Sequence, residues 1–184
     1  MFIIKDGFYS DPMSVRANAL AMDFNTSGNY PGFRTDTLTH DMDYFWNMKE
    51  VFSELVGEEI TYWPDQYNTS YQYTTADSTT WTHHDATTWA AVIYLTPDAP
   101  KEAGTAIYRN KQSGIYRYEP ESLEPDYNEV PHKEEDWEIL DQASNVFNRL
   151  VLYHGNLYHR SVVAGFGDSK YNGRLFQTFF FSTK

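Results

Sequence analysis

The side chains of this sequence with the most suggestive chemistry are two imidazoles and a carboxylate. His83 and Asp85 stand two positions apart, so on an extended strand both would project from one face and His84 from the other. His159 supplies a second imidazole far along the chain. Two imidazoles and one carboxylate bind a non-heme ferrous ion and leave its remaining coordination positions open. The pattern therefore predicts a metal site formed by His83, Asp85 and His159.

Arg174 is a candidate of a different kind. It precedes the strongly apolar stretch 175–181, where a buried cation is costly unless it meets an anion. A guanidinium binds a carboxylate through two parallel hydrogen bonds. We therefore expect Arg174 to hold a carboxylate beside the metal.

Two helices are predicted among the elements that support these residues, after a short strand within residues 1–10. Asp11 and Pro12 are typical of a helix start, as N-cap and first helical residue, and apolar residues continue at helical spacing to Phe24. A second helix is predicted over 39–56. The apolar residues of one face of that helix are Phe45, Met48, Phe52 and Leu55.

Predicted strands dominate the rest of the chain. Their composition favours strands over 67–75, 81–85, 89–95, 104–108, 146–153, 157–163 and 175–182. Residues 119–136, called the excursion below, are rich in acids, contain three prolines and have no period. They are expected to form either a lid over the site or a plain surface loop. Helices followed by strands indicate helices packed on one face of a double-sheet barrel.

Composition excludes several classes of function. The chain carries 14 Lys and Arg against 26 Asp and Glu, a formal net charge of −12, so it is a poor general binder of nucleic acid or anionic lipid. It has no cysteine, which excludes disulfides, thiolate zinc sites and iron–sulfur ligation. The N-terminus lacks the pattern of a signal peptide and no apolar run is long enough for a membrane span, so we expect a cytoplasmic protein. The sequence does not indicate an oligomeric state.

Six stretches in a fixed order resemble one enzyme family. They are Trp81 to Asp85, Ala91 to Pro97, Ala103 to Tyr108, Phe147 to Tyr153, Tyr158 to Val162, and Gly173 to Phe181. Together they resemble the Fe(II)- and 2-oxoglutarate-dependent oxygenases, in particular the prolyl-hydroxylase-like branch. The resemblance covers about residues 67–184. It implies a mainly β fold with flanking helices, a double-stranded β-helix (jelly-roll or cupin-like) core whose N-terminal helices pack on one sheet.

The resemblance also implies a division of the chain and a reaction. Residues 1–184 would form a single oxygenase-like domain, with an N-terminal strand and supporting helices in 1–60 and the jelly-roll core in 67–184. The implied reaction uses Fe(II), 2-oxoglutarate as cosubstrate and O2. It hydroxylates a C–H bond and releases succinate and CO2. The branch makes an amino-acid side chain, in a small molecule or a peptide, the first expectation for the substrate.

Roles for individual residues follow from the same resemblance. His83, Asp85 and His159 would be the iron ligands, and Arg174 would pair with the distal carboxylate of 2-oxoglutarate. The residues expected to assist in cosubstrate binding are Tyr94, Thr178 and Tyr73. The sequence departs from the family pattern at two points. Ala103-Gly104 stands where the family often has paired glycines, and the gap from His159 to Arg174 is longer than usual.

Alternatives stay open for two of the ligands and for the function. A register slip of one residue would replace His83 by His84. His154 is the alternative to His159. It lies twenty residues before Arg174 instead of fifteen, a spacing that suits the family less well. The competing functions are a jelly-roll binding protein or isomerase without redox metal chemistry, and a family member that binds a metal only for structure.

Overall fold

Two antiparallel β-sheets face each other, and two α-helices cover the outer side of the larger one. The structure is a computed structural model that describes all residues, 1–184. The helices are α1 (Pro12–Ala21) and α2 (Met42–Val56), and a short 3₁₀ helix spans Glu134–Asp136. The strands are β1 (Ile3–Asp6), β2 (Phe33–Arg34), β3 (Ile60–Tyr62), β4 (Tyr71–Thr74), β5 (Trp89–Tyr94), β6 (Thr105–Asn110), β7 (Trp137–Ala143), β8 (Arg149–His154), β9 (His159–Ser161) and β10 (Arg174–Thr183).

The larger, major sheet has the strand order β1-β8-β5-β10-β4-β2, and β3 pairs with the far end of β10. The minor sheet has the order β7-β6-β9. Two facing antiparallel sheets with helices on one of them confirm the predicted double-stranded β-helix fold. Because β1 and β2 pair with β8 and β4, residues of the first 60 positions are strands of the major sheet itself.

Three apolar layers hold these elements together. On the outer face of the major sheet, α1 and α2 pack through Ala19 and Phe52 against Ile93 and Phe179. The second layer lies between the sheets. Residues of the major-sheet strands that point away from the helices, such as Val92 of β5, pack there against the minor sheet. Every residue of β5 is buried because this central strand is covered on both faces, which is why its sequence is apolar without alternation. The third layer lies between the minor sheet and the excursion.

Helix α1 begins where the sequence predicts, and α2 begins slightly later. The Asp11 side chain accepts a hydrogen bond from Ser14 N at 3.0 Å, and Pro12 lies in the first turn of α1. In α2 the N-cap is Asp41, which accepts from Tyr44 N at 3.0 Å. The helix therefore begins a few residues later than expected. At its other end Gly57 adopts a left-handed φ of 73°, the usual way to end a helix.

Several strand boundaries differ from the sequence expectation. Residues 81–85, predicted as a strand, make only a single isolated bridge, from His83 to His159. Strand β7, which the pattern missed, is an edge strand with exposed residues at three of its seven positions. The short strands β2 and β3 were also missed, since two or three residues carry too little pattern to recognise. No helix of the structure has both the length and the apolar character that a membrane span requires.

Candidate metal centre and carboxylate site

The two candidate imidazoles are brought together by the backbone. His83 N donates to His159 O at 3.1 Å, and His159 N donates to His83 O at 2.8 Å. This reciprocal pair places the two residues directly opposite each other across an antiparallel bridge. Side chains at such positions project from the same face, and the two ring centroids lie 4.5 Å apart.

Asp85 completes the group. One donor atom from each of His83, Asp85 and His159 lies within 4.8 Å of the others, and Asp85 Oδ2 lies 3.4 Å from His159 Nε2. Donor atoms that share adjacent positions on an octahedral ion are about 3 Å apart, given metal–ligand distances of about 2.1 Å. Small side-chain rotations are therefore enough to bring the three donors onto one ion.

Backbone carbonyls fix the tautomer of both imidazoles. His83 Nδ1 lies 3.0 Å from Trp81 O, and His159 Nδ1 lies 2.8 Å from Leu157 O. A carbonyl oxygen can only accept, so each Nδ1 carries the hydrogen and each Nε2 presents its lone pair. Metal-binding histidines are oriented in the same way by a bond from the second ring nitrogen.

The carboxylate of Asp85 lacks the partner that its burial demands. Its Oδ2 is buried without a hydrogen bond and faces His159 Nε2 at 3.4 Å. With the His159 hydrogen on Nδ1, the Nε2 lone pair and the carboxylate oxygen face each other, an arrangement that a cation between them would stabilise. The residues present thus fit a divalent metal.

The protonation states of the group also suit a metal. Burial, with the charge of His159 as a second cause, lowers the pKa of His83 to about 4. Burial acts to raise the pKa of Asp85, but the imidazoles of His159 and His83 outweigh it and hold that pKa below its usual value. A neutral His83 and an ionised Asp85 are the forms that bind metals.

Arg174 lies on the inner face of the major sheet with only 1% of its surface exposed. Its Nε donates to Ala103 O at 2.9 Å, and its guanidinium carbon lies 4.3 Å from the ring centroid of Phe176 and 5.3 Å from that of Tyr94. No Asp or Glu side chain forms a salt bridge with it. Burial lowers the pKa of Arg174 and the Tyr94 hydroxyl opposes this shift. A buried guanidinium without an acid fits an anionic ligand.

Tyr94 and Tyr153 line the same inner face. The Tyr94 hydroxyl shares a 2.8 Å hydrogen bond with Thr105 Oγ1, and burial raises its pKa while Arg174 opposes the rise. Tyr153, which the sequence reasoning did not single out, has its ring centroid 4.7 Å from that of His159. Burial and then Asp85 raise its pKa, and Arg174 opposes the rise. Tyr153 therefore lies close to both candidate sites, and its position two residues after Val151 on a predicted strand was the available signal.

Thr178 and Tyr73 lie on opposite faces of the major sheet. Thr178 is on the inner face, as its spacing from Arg174 predicts, but its hydroxyl donates to Tyr67 O at 2.9 Å. Tyr73 pairs across the sheet with Leu175, on the outer face, and stacks on Phe33 with centroids 4.9 Å apart. The structure does not bring Tyr73 to Arg174, because successive residues of a strand point to opposite faces and Thr74 is the inward residue.

The other histidines lie outside the group. His84 Nε2 lies 3.0 Å from Asp126 Oδ1, and its ring stacks on Tyr118 with centroids 4.3 Å apart. His154 is exposed and stacks on Trp89. His84 and His154, the two alternatives that the sequence left open, thus point away from Asp85.

Side chains of the excursion hold the backbone that carries His83. Glu134 accepts from Thr82 N at 2.8 Å and from Thr82 Oγ1 at 2.7 Å. Asn128 accepts from His84 N at 3.1 Å and donates to His84 O at 2.9 Å. Tyr127 packs on Tyr158, on the outer side of the minor sheet. The excursion therefore covers that side of the minor sheet and holds the backbone of residues 82–84 by hydrogen bonds. Residues 82–85 are called the ligand segment below.

Two cavities lie elsewhere. One of about 450 Å³ is lined by Tyr116, Tyr118 and Tyr158 on the excursion side of the minor sheet, and one of about 340 Å³ is lined by Arg16, Thr96 and Tyr171. None of the three candidate metal ligands lines either cavity. The metal centre is therefore identified by its donor atoms and not by cavity size.

Solved structures share this fold at low sequence identity. HygX from Streptomyces hygroscopicus, solved with nickel and 2-oxoglutarate bound, is similar with a TM-score of 0.61 and 12% identity, over 100% of this chain and 83% of that chain. A Pseudomonas putida prolyl-4-hydroxylase has a TM-score of 0.56 and 12% identity, over 100% and 92%. A prolyl hydroxylase from Trichoplax adhaerens, in complex with a hypoxia inducible factor peptide fragment, has a TM-score of 0.57 and 14% identity, over 98% and 82%.

At the sequence level the comparisons give a family without an assigned role. No curated protein matches the chain significantly in sequence. One family model, described as a family of unknown function (DUF6445), matches residues 1–181. Because that match spans nearly the whole sequence, the chain belongs to the DUF6445 family.

Proposed function

We propose that this protein is an Fe(II)- and 2-oxoglutarate-dependent dioxygenase that hydroxylates a C–H bond of an amino-acid or polypeptide side chain. The observation that carries the proposal is the buried, unpartnered oxygen of Asp85, which faces the Nε2 lone pairs of two imidazoles. Two imidazoles and a carboxylate leave positions open for a cosubstrate and dioxygen. The fold shared with HygX, which was solved with nickel and 2-oxoglutarate, supports the same conclusion.

The chain's own residues divide the work between binding and orientation. His83 and His159 would hold the metal through Nε2, because Trp81 O and Leu157 O occupy the Nδ1 hydrogens. Arg174 would bind the distal carboxylate of 2-oxoglutarate. In the structure its Nε donates to a backbone carbonyl, and its other polar neighbour is the neutral Tyr94 hydroxyl.

Aromatic side chains would keep this space dry. Phe176 and Tyr153 are buried beside Arg174 and His159 respectively. Burial without water strengthens the attraction between the guanidinium and a carboxylate. Tyr94, whose hydroxyl already shares a hydrogen bond with Thr105, is the second donor available to that carboxylate. Bound iron and 2-oxoglutarate would supply the oxidising chemistry, in which 2-oxoglutarate and O2 become succinate and CO2 and one oxygen atom enters the substrate.

The test is formation of the metal–cosubstrate complex. Anaerobic Fe(II) with 2-oxoglutarate should give a weak visible charge-transfer band, and His83→Ala should abolish it. His154→Ala, which removes an exposed imidazole outside the group, is the matched control and should leave the band unchanged. A jelly-roll binding protein or isomerase without redox metal chemistry would give no band, and that result would refute the proposal.

Cosubstrate binding gives a second readout. Arg174→Leu should raise the 2-oxoglutarate concentration needed for the band, because the anion loses its only buried cation, while metal affinity without 2-oxoglutarate is retained. Arg109→Leu removes an exposed arginine that pairs with Glu138 and should change neither quantity. Equal behaviour of the two variants would contradict the role given to Arg174.

A further inference from the structure

A second buried arginine lies on the inner face of the major sheet. Arg34, on the edge strand β2, has only 5% of its surface exposed. No Asp or Glu side chain forms a salt bridge with it. Its partner is the neutral amide of Gln72, whose Oε1 accepts from Nε at 2.9 Å and from Nη2. A buried cation that meets only a neutral acceptor is unusual and calls for a functional explanation.

The surroundings of Arg34 leave one edge of its guanidinium unused. Its guanidinium carbon lies 4.0 Å from the ring centroid of Tyr30 and 5.0 Å from that of Tyr67. The two rings also contact each other edge to face, with centroids 5.4 Å apart, so they lie on one side of the guanidinium. Gln72 occupies the edge formed by Nε and Nη2. The edge formed by Nη1 and Nη2 has no protein acceptor. Two parallel N–H groups on such an edge match a carboxylate in a bidentate pair.

The strand register places Arg34 in line with the proposed cosubstrate site. Arg34 is opposite Gln72, and Gln72 is opposite Phe176, the residue that packs against Arg174. With strands about 5 Å apart, the β2 backbone at Arg34 lies about 10 Å from β10. Burial lowers the pKa of Arg34 to about 10, and Asp85 is the only carboxylate among the groups that oppose this shift. Arg34 is therefore near the candidate metal centre as well.

We propose that Arg34 binds a carboxylate of the primary substrate. The substrate then presents a free carboxylate to the inner face of the major sheet, as an amino acid does. This inference rests on the proposed function and names its substrate class. Arg174 takes the cosubstrate carboxylate, so the second guanidinium is available for the substrate. A phosphate would need more positive charge than one arginine supplies, in a protein whose net charge is −12.

Loop residues, and not strands, pack over Arg34. Tyr30 and Tyr67 are loop residues, only partly buried, and neither belongs to a strand. Gly28 approaches both rings so closely that a Cβ there would clash with each of them.

The experiment uses the protein loaded with Zn(II) and 2-oxoglutarate, which fills the Arg174 site and keeps the sample diamagnetic. The NMR cross-peak of the Arg34 Nε–H group, assigned by its absence from Arg34→Lys, is followed during titration with acetate, acetamide and inorganic phosphate. Acetate should shift the peak saturably, and acetamide, which has the same shape without the charge, should not. In Gln72→Glu, an isosteric change that supplies an internal carboxylate, acetate binding should weaken at least about tenfold.

The outcomes separate this inference from the proposed function. The inference is overturned if acetate does not shift the Arg34 Nε–H cross-peak, or if acetamide shifts it equally. A stronger response to phosphate than to acetate overturns the assignment of a carboxylate. Undiminished acetate binding in Gln72→Glu also overturns it, because the site would not then be Arg34. The anaerobic Fe(II)–2-oxoglutarate band should persist in Gln72→Glu. Absence of that band from the unmodified protein would refute the proposed function, whereas the acetate titration would still test whether Arg34 binds a carboxylate.

Discussion

The two candidate imidazole ligands are held in contrasting ways. His159 begins β9, a strand that pairs with β6 in regular register. His83 lies in the ligand segment, which belongs to no strand and makes one bridge. Its remaining support comes from one backbone hydrogen bond, from Asp85 N to Gly155 O at 2.7 Å, and from side chains of the excursion, chiefly Glu134 and Asn128.

His159 is therefore positioned by sheet pairing alone, whereas the backbone that carries His83 depends also on side-chain hydrogen bonds from the excursion. Backbone ladders tolerate most substitutions, because each residue supplies its own donor and acceptor. Support from a side chain is lost with that one side chain. We therefore expect the geometry of His83 and Asp85 to be sensitive to distant changes that leave His159 in place.

The largest expected effect comes from Asp85→Asn. Loss of the only charged ligand should reduce affinity for Fe(II) or Zn(II) by more than about 100-fold, beyond the losses typical of outer-shell changes. The metal-free protein should be no less stable than the unmodified chain, because the buried Oδ2 has no hydrogen bond to lose. Calorimetric titration and urea unfolding measure the two quantities. Unchanged metal affinity would show that Asp85 is not a ligand.

Glu134→Ala tests the support of the ligand segment. It removes both hydrogen bonds to Thr82 and the 2.9 Å ion pair with Arg160, so metal affinity should fall by about 10- to 100-fold. The matched control is Glu135→Ala, whose exposed side chain pairs only with exposed Lys133. Metal affinity should be unchanged in that variant.

Hydrogen exchange sharpens the same comparison. In metal-free Glu134→Ala, the amides of residues 82–84 should exchange faster than in the unmodified protein, while those of 159–161 keep their protection. Equal loosening of both segments would mean that the two ligand regions are held as one unit.

The pH dependence of stability reports on His83. Its pKa falls from 6.5 to about 4 in the folded protein, so the unfolded chain binds the proton first as the pH falls. The free energy of unfolding should decrease as the pH drops from about 6.5 to about 4, and this contribution should level off below that. In the metal-free protein the loss relative to His83→Asn should reach at most about 3 kcal/mol. Urea unfolding over that range measures it, and parallel curves for the two proteins would contradict the shift.

The smallest effect is expected from Tyr73→Phe. The Tyr73 ring packs on Phe33 and Phe24 on the outer face, so loss of its hydroxyl should change the 2-oxoglutarate requirement by less than about twofold. Tyr94→Phe, on the inner face, should raise that requirement several-fold, by the loss of one hydrogen bond to a charged group. If Tyr73→Phe had the larger effect, the placement of these two side chains would be wrong.

The sequence predicted the parts of the fold that depend on local pattern. The N-cap at Asp11 and the apolar run at β5 are visible in a few consecutive residues. The same holds for the alternation that separates His83 from His84. The sheet order and the pairing of β1 with β8 depend on contacts between distant residues and have no local signal.

Other features could not be predicted for a physical reason. The ligand segment looked like a strand because Trp, Thr and His favour extended backbone, but no neighbouring strand pairs with it beyond His83. Its hydrogen bonds to side chains come from Glu134 and Asn128, some 50 residues away in an acidic stretch without periodicity. The resemblance places Tyr73 in the cosubstrate pocket, but the pleat of β4 directs its ring to the outer face of the sheet.

The most direct test of the account is a crystal structure of the protein grown anaerobically with Fe(II) and 2-oxoglutarate, with anomalous diffraction recorded at the iron edge. We expect a single anomalous peak bonded to Nε2 of His83, Nε2 of His159 and a carboxylate oxygen of Asp85. The distal carboxylate of 2-oxoglutarate should lie against Arg174. An iron peak at another position, such as His84 with Asp126, or 2-oxoglutarate bound away from Arg174, would contradict the account.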